Sequence, residues 1–459
     1  MPIRLAASAF ACVVALAYFG FAPQLARLLG DPRVTSRYHA TDFVIFYCAG
    51  NAVRTRANPY TIEPLTACER SYWPHAYLPG YSEPAAYPGS TLALFALLAL
   101  ASFGVAKAIW LVVLCVGFGV TVWYGSLLSR APPFAVAALL FVPVALLPIG
   151  VGQPAPIFCA AIAACASYAR RGNASIAALC ALAATIEPHV GIPVVVALAV
   201  LLPRARLTLA LGGAALLALH VAALGPTVAA SYVSAVLPAQ AHSEYHAADQ
   251  FGSVWWLAQL GVPSAAIAPT SALLYLTALA SGIALAARTR ARRGDAAALV
   301  TIPLVVALAF APYLHDVELG VALVTPLAAL APNPRDLRWI ACAVVLAVPW
   351  FAAARSPVLA ATSVLCAALF VAIALRPRDR RAGEASLATA LGLALLLTLA
   401  AQLPLAPGPT VAPRPPRSGA LAAASWEAWI RSQPFDRARG PRIVLPKLIT
   451  VAGLIAAAL

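Results

Sequence analysis

Charge is what this chain has least of. Of 459 residues, 10% are charged and 62% apolar, with a mean hydropathy of +0.86. A soluble protein carries about 25% charged residues, so the polar surface that water requires is missing and a soluble globule is excluded. Lysine is almost absent: of 31 basic residues all but Lys107 and Lys447 are arginines. These sit in short clusters between apolar runs and form no single basic patch, which argues against nucleic acid despite a net charge of +15. There is no P-loop, no G-x-G-x-x-G after a strand and no C-x-x-C pair. Phosphate-cradling, dinucleotide and paired-cysteine zinc chemistry therefore lack their usual motifs. Most of the nine cysteines lie scattered in apolar segments as small hydrophobes. No clear small-residue cleavage site follows the apolar run 5–21 behind Arg4, so that run reads as a first span.

What the chain has in abundance is apolar runs near the length of a membrane span, about 17–25 residues. They are rich in Ala, Leu and Val without period-two alternation, so the expected fold is an all-α, polytopic helical bundle, helices and closed barrels being the only spanning structures that satisfy the backbone. Arginine clusters at Arg130, 170–171, Arg204 with Arg206, 288–293, Arg335 with Arg338, and 376–381 mark one face as cytoplasmic. With 5–21 running outward, 31–88 becomes a long first outer loop carrying juxtamembrane helices. Spans follow near 105–127, 134–149, 155–169, 173–186, 190–203, 207–224, 265–287, 296–312, 317–331, 338–353, 358–375 and 386–403. This places every cluster inside, gives about 13 spans and requires that 90–103 does not cross. Residues 1–403 form the membrane domain; 404–459 form an outer tail whose segment 443–459 is a further span or an interfacial helix. The expected home is the cell inner (plasma) membrane, multi-pass.

The same threading sorts the rare polar residues. Asp31, Asp42, Glu63, Glu69, Glu83, Glu187, Glu244, Asp249, Asp316 and Glu318 fall at or near the outer face. So do His39, His75, His189, His220, His242, His246 and His315, and half of the 14 tyrosines lie within 38–87. Tyrosine and tryptophan favour interfaces in any case, but the inner loops hold no histidine at all. Acid–base chemistry is expected on the extracytoplasmic side.

The first outer loop reads Thr41-Asp42-Phe43-Val44-Ile45-Phe46-Tyr47-Cys48-Ala49-Gly50, then Asn58-Pro59-Tyr60. A carboxylate at the water–lipid boundary can take a proton from a hydroxyl within hydrogen-bond reach, while rings such as Tyr47 and Tyr60 pack on a sugar face. Asp42 also suits the N-cap of a helix starting near Phe43. This D-F-x-x-F-Y-x-A-G stretch with its later N-P-Y resembles family 87 of the GT-C glycosyltransferases. The resemblance continues in order over roughly 1–340: Tyr87-Pro88, Ala106 with Ile109-Trp110, Gly152-Gln153, Ile186-Glu187-Pro188, 249–253 and 311–316.

The resemblance implies an inverting transfer from a polyprenyl-phosphate sugar, typically mannose, to a lipid or glycan hydroxyl, with no nucleotide and no required metal or other cofactor. Asp42 would be the base, and His315 would position the acceptor or share its proton. Gln153, Gln250 and Asp316 would contact donor or acceptor, and Lys107, Arg37 and Arg54 would face the donor phosphate. Glu187 departs from the pattern, standing where the family usually has lysine. An intramembrane carboxylate is expensive and generally functional, so Glu187 joins the donor or acceptor site. The competing reading is a proton-coupled secondary transporter with Glu187 as relay and proline-broken helices at the substrate site. Cys48 and Cys68 are the only cysteines of the first outer loop. An oxidising compartment permits a disulfide between them; two unrelated thiols are the alternative.

Overall fold

In a computed structural model, residues 41–72, 81–331, 337–349, 357–374, 419–432 and 440–459 are described, with isolated positions elsewhere. The expected spans 5–21 and 386–403, Arg37, and the clusters at Arg335 and 376–381 lie outside the described residues. Among the described residues the fold is helical. No strand occurs, and two isolated bridges pair Thr61 with Leu421 and Gln250 with His315.

Among the described residues, four helices are long and apolar enough to cross a membrane: Phe103–Ser129, Pro133–Val151, Pro203–Leu224 and Ser264–Arg293. Their outward surfaces are hydrocarbon, with Leu207, Leu211 and Leu217 exposed on the third and Leu273 and Leu276 on the fourth. In water this would be an apolar patch far beyond what a soluble monomer shows; against lipid tails it is the ordinary surface of a membrane protein. Shorter apolar helices stand at the other described positions where spans were expected, including Ala155–Arg170, Ala298–Ala309 and Ile443–Ala458. The segment near 317–331 opens as a 3-10 helix over Asp316–Leu323 before Val324–Leu330 turns α-helical. The piece at 90–103 contributes the ten-residue helix Gly89–Leu98, about 15 Å long and too short to cross.

Two devices bring the polar end together. The helix Thr41–Arg54 packs on Gly89–Leu98, and the approach is possible because Gly50 lies directly on the Phe95 backbone, where a Cβ would collide. Phe46 stacks on Phe95 at 5.0 Å between ring centroids. The disulfide Cys48–Cys68 then ties Thr41–Arg54 to the helix Ile62–Tyr72.

The second device is the tail, which belongs to the bundle. The helix Pro441–Ala458 packs on Ala298–Ala309 and Leu337–Ala347. It buries Lys447, whose ammonium donates to the Gln250 carbonyl and lies 3.6 Å from the centroid of the Trp255 ring. Upstream, the helix Ala422–Ser432 is fastened to the first loop, Ser425 Oγ accepting from Ser82 N at 2.8 Å. The described part of 404–459 thus holds two helices, the second of which, Pro441–Ala458, stands where a further span or an interfacial helix was expected.

Candidate functional site

At this end of the bundle lies a cavity of about 330 Å³ whose wall carries seven carboxylates: Asp42, Glu83, Glu187, Glu244, Asp249, Asp316 and Glu318. Tyr87, Gln153, Gln240, Tyr313, His315 and Trp426 complete its polar lining. No lysine or arginine lines it among the described residues.

Asp42 sits within the first turn of Thr41–Arg54. Its carboxylate accepts from Thr41 Oγ1 at 3.0 Å and from Gln153 Nε2 at 2.6 Å. The carboxylate is therefore engaged by side chains on both oxygens, and the capping role considered for it is not what the geometry shows. Gln153 is delivered by Gly152, which ends the helix Pro133–Val151 in the left-handed region at φ 89°. That conformation favours glycine. Trp110 Nε1 donates to the Gly152 carbonyl at 2.7 Å and pins the turn. Burial raises the proton affinity of Asp42 above that of an ordinary carboxylate, while the bonds from Gln153 and Thr41 partly offset the rise.

From Asp42 a chain of hydrogen bonds runs around the cavity. Tyr87 donates to Gln153 Oε1 at 3.3 Å and meets the Glu187 carboxylate. Glu187 lies at the break between Ala174–Ala183 and Pro188–Leu201, in extended conformation, where Pro188 starts the second helix. His189 bridges two acids, Nδ1 lying 3.0 Å from Glu187 and Nε2 2.9 Å from Glu318. Glu318 also accepts from His315 N at 2.8 Å. His315 Nε2 lies 2.9 Å from Glu244. Glu244, 1% exposed, accepts further from Gln240 Nε2 at 3.1 Å and Trp426 Nε1 at 2.8 Å. A buried carboxylate is tolerated where donors surround it, and here one donor, Trp426, lies 182 residues along the chain from Glu244. Burial works against a charged His315, but the surrounding acids, Glu244 and Asp249 foremost, outweigh it and hold the ring well above the ordinary histidine range.

Of the residues singled out from sequence, Asp42, Gln153, Glu187, His315 and Asp316 line one cavity. The others do different work. Gln250 is fully buried, and its Oε1 accepts from Gly252 N at 2.9 Å and Leu314 N at 2.6 Å. It splints the 250 loop to the 314 loop and leaves no acceptor for a sugar. The Tyr47 hydroxyl donates to the Ala101 carbonyl and the Tyr60 hydroxyl to the Tyr87 carbonyl, so both rings hold the first loop from behind the cavity wall. Lys107 lies in Phe103–Ser129 off the cavity lining, and Arg54 is exposed and donates to Asn51 Oδ1 at 2.8 Å. Neither faces the site, because the helices that carry them point these positions elsewhere.

Sequence reasoning passed over Tyr87, His189, Gln240, Glu244, Asp249, Glu318 and Trp426 as site residues. The acids and His189 were already grouped at the outer face, and Tyr87 belongs to a quoted motif. Trp426 carried no signal. No family model, no curated protein and no solved structure matches the chain.

Proposed function

We propose that the chain is an inverting, membrane-embedded hexosyltransferase that moves a sugar, typically mannose, from a polyprenyl-phosphate donor to a hydroxyl of a lipid or glycan. The observation that carries this reading is Asp42: a half-buried carboxylate on the wall of a sugar-sized cavity, oriented by Gln153 and with raised proton affinity. Pockets of about 300 Å³ and above suit small ligands. In the reaction the acceptor O–H gives its proton to Asp42 as the oxygen bonds to the anomeric carbon. The bond from that carbon to the lipid phosphate oxygen breaks on the opposite face, and the polyprenyl phosphate leaves with the electron pair. The ordered resemblance to family 87 of the GT-C transferases supports the same reading.

One observation favours a second. The run from Asp42 through Gln153, Tyr87, Glu187 and His189 to Glu318 is also what a proton relay would use, as in a proton-coupled transporter. The two separate cleanly. Purified protein given labelled polyprenyl-phosphate mannose and membrane lipid acceptors forms a labelled product without any pH gradient if it is a transferase. Gradient-driven uptake into proteoliposomes, with no product under any acceptor, would establish the transporter.

A further inference from the structure

The acidic wall poses a problem that the transferase reading does not solve: a phosphate brought beside seven carboxylates is repelled. We infer that the cavity holds a divalent cation at Glu244, Asp249 and His315, with the Gln240 carboxamide oxygen as a fourth ligand. The ligand atoms of Glu244, Asp249 and His315 all lie within 4.8 Å of one another, close enough to converge on one ion at about 2.0–2.3 Å each.

A second observation, independent of the acids, points to the same place. Gln240 is 5% exposed and lines the cavity, and its Oε1 has no hydrogen-bond partner. Its Nε2 donates to Glu244 at 3.1 Å, which fixes the amide's orientation next to one of the three proposed ligands. A buried carbonyl oxygen without a donor is costly; coordination of a cation removes that cost. Asp249, partly exposed at the cavity wall, likewise makes no hydrogen bond or salt bridge among the described residues.

A second cluster, Glu187, His189 and Glu318, also has convergent atoms. There the imidazole already spends both nitrogens on the two carboxylates, so an ion would have to break both contacts. At the assigned site one histidine contact is exchanged, and two oxygens await a partner. Two carboxylates, one imidazole and an amide oxygen form a mixed oxygen–nitrogen set that suits Mn²⁺ or Zn²⁺ better than a thiol-seeking metal. In a departure from the metal-free transfer that the resemblance implies, the ion would neutralise part of the wall and bind a phosphate oxygen, leaving Asp42 to take the proton. That last role rests on the transferase reading, whereas the ion site does not.

The experiment counts Mn²⁺ on the full-length protein in detergent, by loss of the free-ion electron paramagnetic resonance signal, and then adds decaprenyl phosphate. We expect one Mn²⁺ per chain, with binding weakened at least tenfold in Asp249→Asn and retained in Glu187→Gln. We also expect decaprenyl phosphate to bind at least tenfold tighter with Mn²⁺ than without. Should Asp249→Asn fail to fold, Gln240→Leu serves in its place, with a smaller loss expected. No Mn²⁺ binding at millimolar concentration, or loss in Glu187→Gln but not in Asp249→Asn, overturns the site whatever the enzyme assay shows. Stoichiometric Mn²⁺ with no gain in decaprenyl phosphate affinity keeps the site and removes the phosphate-donor role.

Discussion

The two ends of the bundle handle charge in opposite ways. The helix Phe103–Ser129, about 40 Å long, has Trp110 beside the acidic cavity near its start and ends at Arg130, which lines a second cavity of about 540 Å³. That one is mostly apolar, with Arg130, Arg170, Arg293 and the single acid Asp295 on its wall. Arg170 is bonded to Asp295 at 2.7 Å and to the carbonyls of Leu128 and Ala328. Its charge is balanced locally, as a structural cation at a helix end should be. At the other end seven carboxylates share two histidines and a set of neutral donors. The Arg170 arrangement stabilises; the acidic one gathers carboxylates, histidines and neutral donors where a ligand can enter, and that difference argues for chemistry at the acidic end.

The largest effect would come from breaking the orientation itself. A reporter fused after Arg293 should read cytoplasmic and a tag inserted near Ala67 extracytoplasmic, in line with the positive-inside rule. Both on one side would dissolve the threading and the face assignment together.

Next in size is Asp42→Asn. Asparagine keeps the shape but has one acceptor oxygen, so it retains the bond from Thr41 or from Gln153 and not both. It cannot accept the acceptor's proton, so turnover should fall by roughly 10²–10⁴-fold in protein that still folds. The wild-type rate should decline as pH drops through a value above the ordinary carboxylate range, because burial raises Asp42 and only its ionised form works as base. Gln153→Leu removes a bond that holds this proton affinity down, so the acid limb should move to higher pH. Near-normal turnover in folded Asp42→Asn protein would take Asp42 out of the mechanism.

These residues also show what a linear reading reaches. Asp42 and Gln153 are 111 positions apart, yet each sits in a recognisable local pattern, a polar break beside an apolar run, and both landed in the site. The helical fold was equally readable, since span-length apolar runs admit little else in lipid. Tyr47 and Tyr60 looked like sugar platforms because exposed aromatics often are. Their hydroxyls are committed to backbone carbonyls, a fact that only packing decides. Glu244 and Trp426 meet across 182 residues, and neither carries a local pattern that foretells the other. Lys447 looked like one charge in a tail, and its burial over Trp255 depends on a helix docking that hydropathy does not specify.

Smaller effects test how the acidic end is held. Cys48→Ser with Cys68→Ser opens a bridge spanning 20 residues, a loop size worth about 3 kcal/mol. Thermal unfolding should come several degrees earlier, and mass spectrometry of native protein without reductant should find both wild-type thiols blocked. Free, alkylatable thiols in native membranes would refute the bridge. Glu69, 2% exposed behind that bridge, is pushed up to about 8 by burial. The folded chain holds a proton there that the unfolded chain releases above the ordinary value of 4.5. Its contribution to stability is therefore complete below about pH 4.5 and is lost as pH climbs through 8. The slope is at most about 1.4 kcal/mol per pH unit. Glu69→Gln should flatten the melting-temperature profile between pH 5 and 8, and an unchanged slope would clear Glu69 of the effect.

The smallest effect belongs to the arginine end and sharpens the contrast from its other side. Asp295 and Arg170 are each about a quarter exposed, and pairs of this kind are worth about 1 kcal/mol or less. In Asp295→Asn the guanidinium keeps its bonds to the Leu128 and Ala328 carbonyls, so the helix ends stay joined. The expected result is a melting temperature lower by a degree or two and a transfer rate within twofold of wild type, because among the described residues no hydrogen-bond chain links this cavity to Asp42. A tenfold loss of transfer at unchanged stability would mean that the two ends communicate, and the division between a structural basic end and a working acidic end would have to be given up.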